Sequence, residues 1–473
     1  MTNCLKTRRI NRIMLISPRY TLYKNDVRRC IPPLGLACLA AFLEKNGYEV
    51  KILDIANEGY YSLRKEEGDF VTYGLDDVEI KKRIVEFKPQ VVGVSIIFST
   101  QNKNAQDILK LAKEIDKNII TLTGGSHPTY TVDEMLDSEY IDYVIMGEAE
   151  LPTLQLLDEI NNGKDFSKIG GLAYKKEKKI INYNLQYIEN LDELPFPATH
   201  LLNMEMYFKI NLPQNPYPLG KRIAQIVTSR GCTARCVFCT TTNFWGNRYR
   251  QRSAENIIAE LGILKEKYDI DEIQFTDDNI TLNKKRALEI FEAIKDLKLA
   301  WCVPQGVAVW ALDEELIEKA RESGCYQLTF AIESGNQDVL TRIVKKPLNL
   351  KKVKPLTKKA QALGIKVHAF CICGLPGETL EQMRETYNFA KDCGFDSVSF
   401  FAATPLVGSE LLKICQEKNY LRKDMKQSDL LYKLGNITTP EFKAEEVQRL
   451  VEHFNKTYNK NDTREKRFEK EKY

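Results

Sequence analysis

Two successive series of short apolar runs, each alternating with helical stretches, constrain this chain more than any other feature, because strands separated by helices pair in parallel and bury both faces. The first series places strands at Arg12–Ser17, Glu49–Ile55, Gln90–Ile97, Ile119–Gly125 and Ile141–Glu148. Helices are expected at 33–47, through 79–87, at 104–115 and at 152–161. The first of these has Pro33 at its first turn and Gly47 after its end, the usual polarity of helix punctuation. A doubly wound, Rossmann-like parallel sheet follows, and such sheets hold ligands beyond the carboxyl ends of their strands. Those ends carry Ser17 and Pro18, Ser99, Gly124 and Gly125 with His127, and Glu148. The glycine pair suits either a close ligand approach or a tight strand-to-helix turn. His127 suits an axial ligand or a loop donor. No GxGxxG follows the first strand, which argues against an ordinary dinucleotide site.

Between the series, Gly170–Tyr183 alternates like a hairpin and 189–202 carries two prolines in a polar setting, the composition of an ordered connector. The second series places strands at 222–231, 272–278, 300–306, 327–334, 366–374 and 395–405, with helices at 253–268, 284–297, 313–323, 351–363 and 379–393. Six strand units of this kind predict a partial (β/α)6, TIM-like barrel that need not close, with its site at the carboxyl ends. The chain thus divides into 11–165, a connector 166–221, a barrel 222–410 and a C-terminal helical cap with charged tail, 411–473. The final charged run reads as a solvated or disordered end.

The barrel rim gathers the chemistry. Cys232, Cys236 and Cys239 stand on one loop after the first barrel strand, at a spacing that does not match a mononuclear zinc finger. Three thiolates leave one iron of a [4Fe-4S] cube without a protein ligand. Asp277 and Asp278 follow the second strand and suit an ammonium group or a helix-capping loop. Glu333 and Ser334 follow the fourth, a pair suited to ribose hydroxyls or an amino-acid end, and Gly374–Glu378 follows the fifth with Gly374 and Gly377 bracketing a turn. Trp245, Arg248, Tyr249 and Arg250 add aromatic and basic groups that suit sealing the site or binding an anion, with a solvated loop the leading reading.

Composition narrows the class. Lys plus Arg number 69 against 65 Asp plus Glu, so the small net charge of +4 gives no footprint for nucleic acid. Neither a signal h-region nor a run of about 18 apolar residues is present, so no membrane span and a cytoplasmic location are expected. The 12 cysteines are then reduced thiols or metal ligands rather than a disulfide framework.

The motif CTARCVFC, on a loop that opens a six-unit barrel, resembles the radical S-adenosylmethionine superfamily. The preceding domain, with PPLGLACLAAFLEKNGYEV, GGSHPT and GEAE, is similar to the cobalamin-binding domain of that superfamily's cobalamin-dependent branch. The resemblance implies a [4Fe-4S] cluster on Cys232, Cys236 and Cys239, with S-adenosylmethionine chelating the fourth iron. Phe238 would lie near the adenine, and Asp277, Asp278, Glu333, Ser334, Gly374, Gly377 and Glu378 would contact the same cofactor. Ser17, Pro18, Ser99, Gly124, Gly125, His127 and Glu148 would face cobalamin. It further implies reductive cleavage to a 5′-deoxyadenosyl radical, an electron donor such as flavodoxin or ferredoxin, and a methyl group delivered by cobalamin. The substrate would be a small metabolite, lipid or peptide precursor, methylated on carbon or, less often, phosphorus.

The DxHxxG signature of many other cobalamin proteins is absent, since 17–29 contains no histidine. A cobalt without a histidine below it is therefore expected, with His127 contacting the corrin or its side chains. A second reading keeps both cofactors but makes the reaction a cyclisation, rearrangement or oxidation without net methyl transfer. Methylthiotransferases need a second cluster from three N-terminal cysteines. Here only Cys4, Cys30 and Cys38 precede the barrel, the last two at the start and middle of an apolar helical stretch, where burial explains them. A non-enzymatic cluster or cobalamin sensor would not cleave S-adenosylmethionine.

Overall fold

A computed structural model describes residues 9–24, 26–163, 165–215, 217–422 and 434–460. Cys4 and the final charged run lie outside the described residues. The chain forms two compact units, 1–210 and 211–473.

In the first unit the five expected parallel strands appear at Arg12–Ser17, Glu49–Asp54, Val91–Ser95, Ile120–Gly124 and Tyr143–Ile145. They pair in the spatial order second, first, third, fourth, fifth. Both faces are covered, which is why these segments read as continuous apolar runs. Met14 and Ile16 face the core packed by helices Asp77–Phe87 and Asn102–Ile115, whereas Ile13 and Leu15 face the one packed by helices Leu34–Lys45 and Glu150–Asn162. The order reverses between Arg12–Ser17 and Val91–Ser95, and the crevice beyond such a switch point is where open α/β sheets bind ligands.

The hairpin expected in the connector extends this sheet. Leu172–Lys175 pairs antiparallel with Tyr143–Ile145, and Lys179–Ile181 completes the edge. A three-stranded antiparallel sheet of Tyr20–Tyr23, Phe70–Tyr73 and Leu63–Lys65 has no counterpart in the sequence reading. Its strands are three or four residues long, too short for alternation to register. Cys30 precedes the helix rather than opening it, and is buried with Asn57 Nδ2 3.4 Å from its sulfur.

The second unit holds six parallel strands in chain order, Ile223–Ile226, Glu272–Phe275, Ala300–Val307, Cys325–Glu333, Lys366–Cys373 and Ser397–Ala402. Its helices have the capping chemistry their sequences offer. Ser253 accepts from Asn256 N at 3.1 Å, and Thr379 and Gln382 form a reciprocal capping box. The first and last strands do not pair, so the barrel stays open as expected.

The last strand's free edge is covered by the C-terminal helix Ala444–Tyr458. Asn455 accepts from Phe400 N at 2.9 Å and donates to Phe400 O at 2.8 Å. Four residues on, Asn459 does the same to Val398, at 3.1 and 2.7 Å. Two amides one helical turn apart thus stand in for a neighbouring strand, and Tyr387 stacks on Phe454 at 4.5 Å beside them.

Candidate active site

The first barrel strand leads straight to the cysteine loop. Ser229–Arg230 pairs antiparallel with Arg250–Gln251 and closes the loop at its base. Gly231 has φ 96°, and a β-carbon there would lie 2.1 Å from the Arg248 carbonyl oxygen, so only glycine lets the loop's two ends touch. Between the thiols, Val237 N donates to Val344 O at 3.1 Å, and Val237 O accepts from Leu411 N at 2.8 Å. Turns after the fourth and sixth strands therefore grip the loop from both sides. The stretch 245–252 is solvated in part, with Asn247 and Arg248 exposed. Arg250 is buried, and the Arg230 guanidinium lies 5.3 Å from the Trp245 ring centre.

The three thiols are half-buried, and no described cysteine is in a disulfide. Burial pushes Cys236 up to about 12, with Lys346 acting against it, and raises Cys232 and Cys239 too. Neutral, desolvated thiols of this kind gain a partner for their charge when a metal deprotonates them. Among the described residues no group of three such side chains converges on a single ion. A cube instead addresses each cysteine with a different iron, so the donor set fits that group.

The carboxylates of the rim divide by role. Asp277 is buried and accepts from Thr228 N at 3.0 Å, from the Thr228 hydroxyl at 2.7 Å and from Ser229 Oγ. Those bonds brace the strand leading into the cysteine loop. Asp278 is exposed, and it accepts from Gly231 N at 3.2 Å and from Thr241 Oγ1 at 3.1 Å, on either side of the thiols. Ser334 is fully buried, 3.2 Å from Thr386 Oγ1 and accepting from Asn336 N. Glu378 is fully buried, and one of its oxygens accepts from Gly374 N at 2.8 Å and Leu375 N at 3.2 Å. Asp277, Ser334 and Glu378, expected as contacts to S-adenosylmethionine, also brace the rim from within. The other Glu378 carboxylate oxygen, Oε1, is buried with no partner among the described residues. Gly374, at φ 88°, has Val447 of the C-terminal helix 2.7 Å from where a β-carbon would stand, while Gly377 is exposed. Phe238 is half-buried on the cysteine loop.

Glu333 closes the fourth strand at φ 67°, a left-handed conformation uncommon for a residue other than glycine. Its carboxylate accepts from Lys346 Nζ at 2.7 Å, and both side chains are buried. The ammonium also lies 5.2 Å from the Trp310 ring centre. Burial alone would lower the Lys346 pKa, but Glu333, Cys236 and Cys232 together raise it. Neither Lys346 nor Trp310 was singled out by sequence reasoning. No motif spacing links Lys346 to the cysteines, and only the turn after the fourth strand brings them together.

In the first unit, the strand ends hold a second set of polar groups. His127 is buried, with Nδ1 3.0 Å from Ser99 Oγ, and its Nε2 has no partner among the described residues. Burial lowers its pKa to about 4, which keeps the ring neutral. Gly125, at φ 108°, packs so tightly that a β-carbon would lie 2.6 Å from the Ile96 carbonyl oxygen. Contact between neighbouring loops therefore requires this glycine, with or without a ligand. Glu148 is buried and accepts from Ile188 N at 3.2 Å. Ser17 and Pro18 are buried beneath the switch point, while Ile97 and Phe98 are 47% and 48% exposed beside Ser99. An apolar shelf next to an unused ring nitrogen fits a flat amphipathic macrocycle. Sequence reasoning missed Asp54, at the end of the second strand, which accepts from Tyr207 and Asn57 N and is raised to about 6 by burial.

The comparisons agree with this division. Residues 226–390 match the Radical SAM superfamily, and residues 20–157 match the B12 binding domain. The chain belongs to the cobalamin-dependent radical S-adenosylmethionine enzymes, in their methyltransferase branch, and its cofactors are a [4Fe-4S] cluster, S-adenosylmethionine and cobalamin. It is 42% identical to the cytidylyl-2-hydroxyethylphosphonate methyltransferase of Streptomyces wedmorensis, over 96% of this chain and 91% of that one. It is 33% identical to an uncharacterized methyltransferase of Pyrococcus horikoshii, over 86% and 84%. The fold is shared with the methyltransferase TsrM of Kitasatospora setae, solved with cobalamin and a [4Fe-4S] cluster, at a TM-score of 0.69, 18% identity and coverage of 87% and 79%.

Proposed function

We propose that this enzyme transfers a methyl group to an unactivated carbon of a small phosphonate carried on a nucleotide, with phosphorus the less favoured acceptor. The likeness at 42% identity over nearly the whole chain to a methyltransferase named for such a substrate carries this reading. When bound, the three cofactors supply reductive cleavage of S-adenosylmethionine, a hydrogen-abstracting radical and a methyl carrier. Cys232, Cys236 and Cys239 hold the cluster in this reading. Phe238, Asp277, Asp278, Glu333, Ser334, Gly374, Gly377 and Glu378 meet S-adenosylmethionine in this reading, with Asp277, Ser334 and Glu378 also bracing the loops that carry it. Ser17, Pro18, Ser99, Gly124, Gly125, His127 and Glu148 form the cobalamin site, with neutral His127 serving the corrin rather than the metal.

The enzyme works in the cytoplasm, with flavodoxin or ferredoxin as electron donor. Described cysteines outside disulfides support that setting, and no described helix is long and apolar enough to cross a membrane. Three relatives named as anaerobic magnesium-protoporphyrin IX monomethyl ester cyclases, which favour the cyclase reading, are 28%, 25% and 25% identical.

Reconstituted enzyme given methyl-labelled S-adenosylmethionine, a reductant and cytidylyl-2-hydroxyethylphosphonate should yield a product labelled on carbon. Cys236→Ala should form no 5′-deoxyadenosine. An unlabelled, rearranged product would move the enzyme to the cyclase class, and an untouched substrate alongside 5′-deoxyadenosine would exclude this phosphonate.

A further inference from the structure

The turn after the fourth barrel strand holds the cysteine loop through Val237 and carries Lys346, which pairs with Glu333 at 2.7 Å with both side chains buried. That turn is unusual. Residues Val339–Val344 form a π-helix, a geometry that recurs at functional sites, and Lys345 follows in a left-handed conformation at φ 62°. The same turn holds the cysteine loop, since Val344 O accepts from Val237 N. The ammonium is therefore fixed to the backbone that positions the thiols. Glu333, which ends the fourth strand, is paired with the same ammonium at 2.7 Å.

We infer that Lys346 is a positioning residue of electrostatic kind, which sets the reduction potential of the cluster, with Glu333 as its counterweight. The inference rests on assigning the cluster to the three cysteines. A cube held by three thiolates becomes more negative on accepting an electron. A fixed positive charge in a water-poor site favours that reduced state, and a fixed negative charge opposes it. Cluster potentials respond to local charge and burial in this way. The Lys346–Glu333 pair thus acts as a poise before any substrate is bound.

The test is an EPR-monitored redox titration of the reconstituted full-length protein without S-adenosylmethionine, so that no other ligand interferes. Lys346→Met should reduce the ratio of reduced to oxidised cluster at a fixed potential about tenfold, a shift of about 59 mV for one electron. Glu333→Gln should move it in the opposite direction, and Lys346→Arg should leave it within about twofold of wild type. A purely structural pair would not give opposite signs. An unchanged or positive shift in Lys346→Met, or an unchanged or negative one in Glu333→Gln, overturns the inference. If Lys346→Met fails to load a cluster, Glu333→Gln decides alone, and failure of both to load also counts against it. Iron counting on Cys236→Ala separates the two layers. A cluster retained there refutes the ligand assignment, whatever the lysine does.

Discussion

Glu378 illustrates how one rim residue couples structure to pH. Burial lifts its carboxyl from an ordinary 4.5 to about 7, with the Gly374 and Leu375 N–H groups acting against the rise. Between those values the folded chain keeps a proton that the unfolded chain releases, so stability falls as pH rises through that window. Glu378→Gln preserves an acceptor for both N–H groups and removes the titration. Its calorimetric Tm should therefore decline less than that of wild type between pH 5 and 7. Asp54, raised to about 6, and His127, lowered to about 4 with the opposite sign, are common to both proteins and cancel in the comparison. Equal slopes would show that Glu378 is not protonated in the folded state. The residue types at the rim were legible in the sequence, but their occupations were not. That Asp277 and Ser334 face inward depends on Thr228, Ser229 and Thr386, tens of residues away.

At the scale of elements, the C-terminal helix is defined by what it covers. Asn455 and Asn459 give the backbone of Phe400 and Val398 the partners a seventh strand would have supplied. Replacing either by alanine should cost about 1–3 kcal/mol, because a donor and an acceptor lose their partners together. The double variant should melt earlier and scatter light on heating, as exposed sheet edges invite pairing between chains. A double variant with the wild-type Tm would mean that water serves the edge equally well. Strands buried on both faces, such as Arg12–Ser17 and Lys366–Cys373, were plain from their apolar runs. The small sheet of Tyr20–Tyr23, Phe70–Tyr73 and Leu63–Lys65 was not, because strands of three or four residues hold at most two repeats of the two-residue alternation. The sequence suggested that the last helix caps the barrel, yet two asparagines in a polar helix face do not announce a sheet edge.

At the scale of the whole molecule, each compact unit has its own core, and each matches its own family. Loss of the cluster should therefore leave the other cofactor's site intact. Cys236→Ala should lose its iron and still bind cobalamin within about twofold of wild type, as measured by absorbance titration. A collapse of cobalamin affinity would show instead that the two sites are energetically one. The sequence by itself determined the order of strands and helices, the two-part organisation and the three-thiol loop. Those depend on local periodicity and on short spacings that no distant contact alters. Tertiary structure alone decided how the rim carboxylates are braced, why Gly125 and Gly231 must be glycine, and that the turn carrying Lys346 meets the cysteine loop. Each of those depends on a close approach between segments far apart in the chain, as when the turn that carries Lys346 grips the loop that carries Cys236.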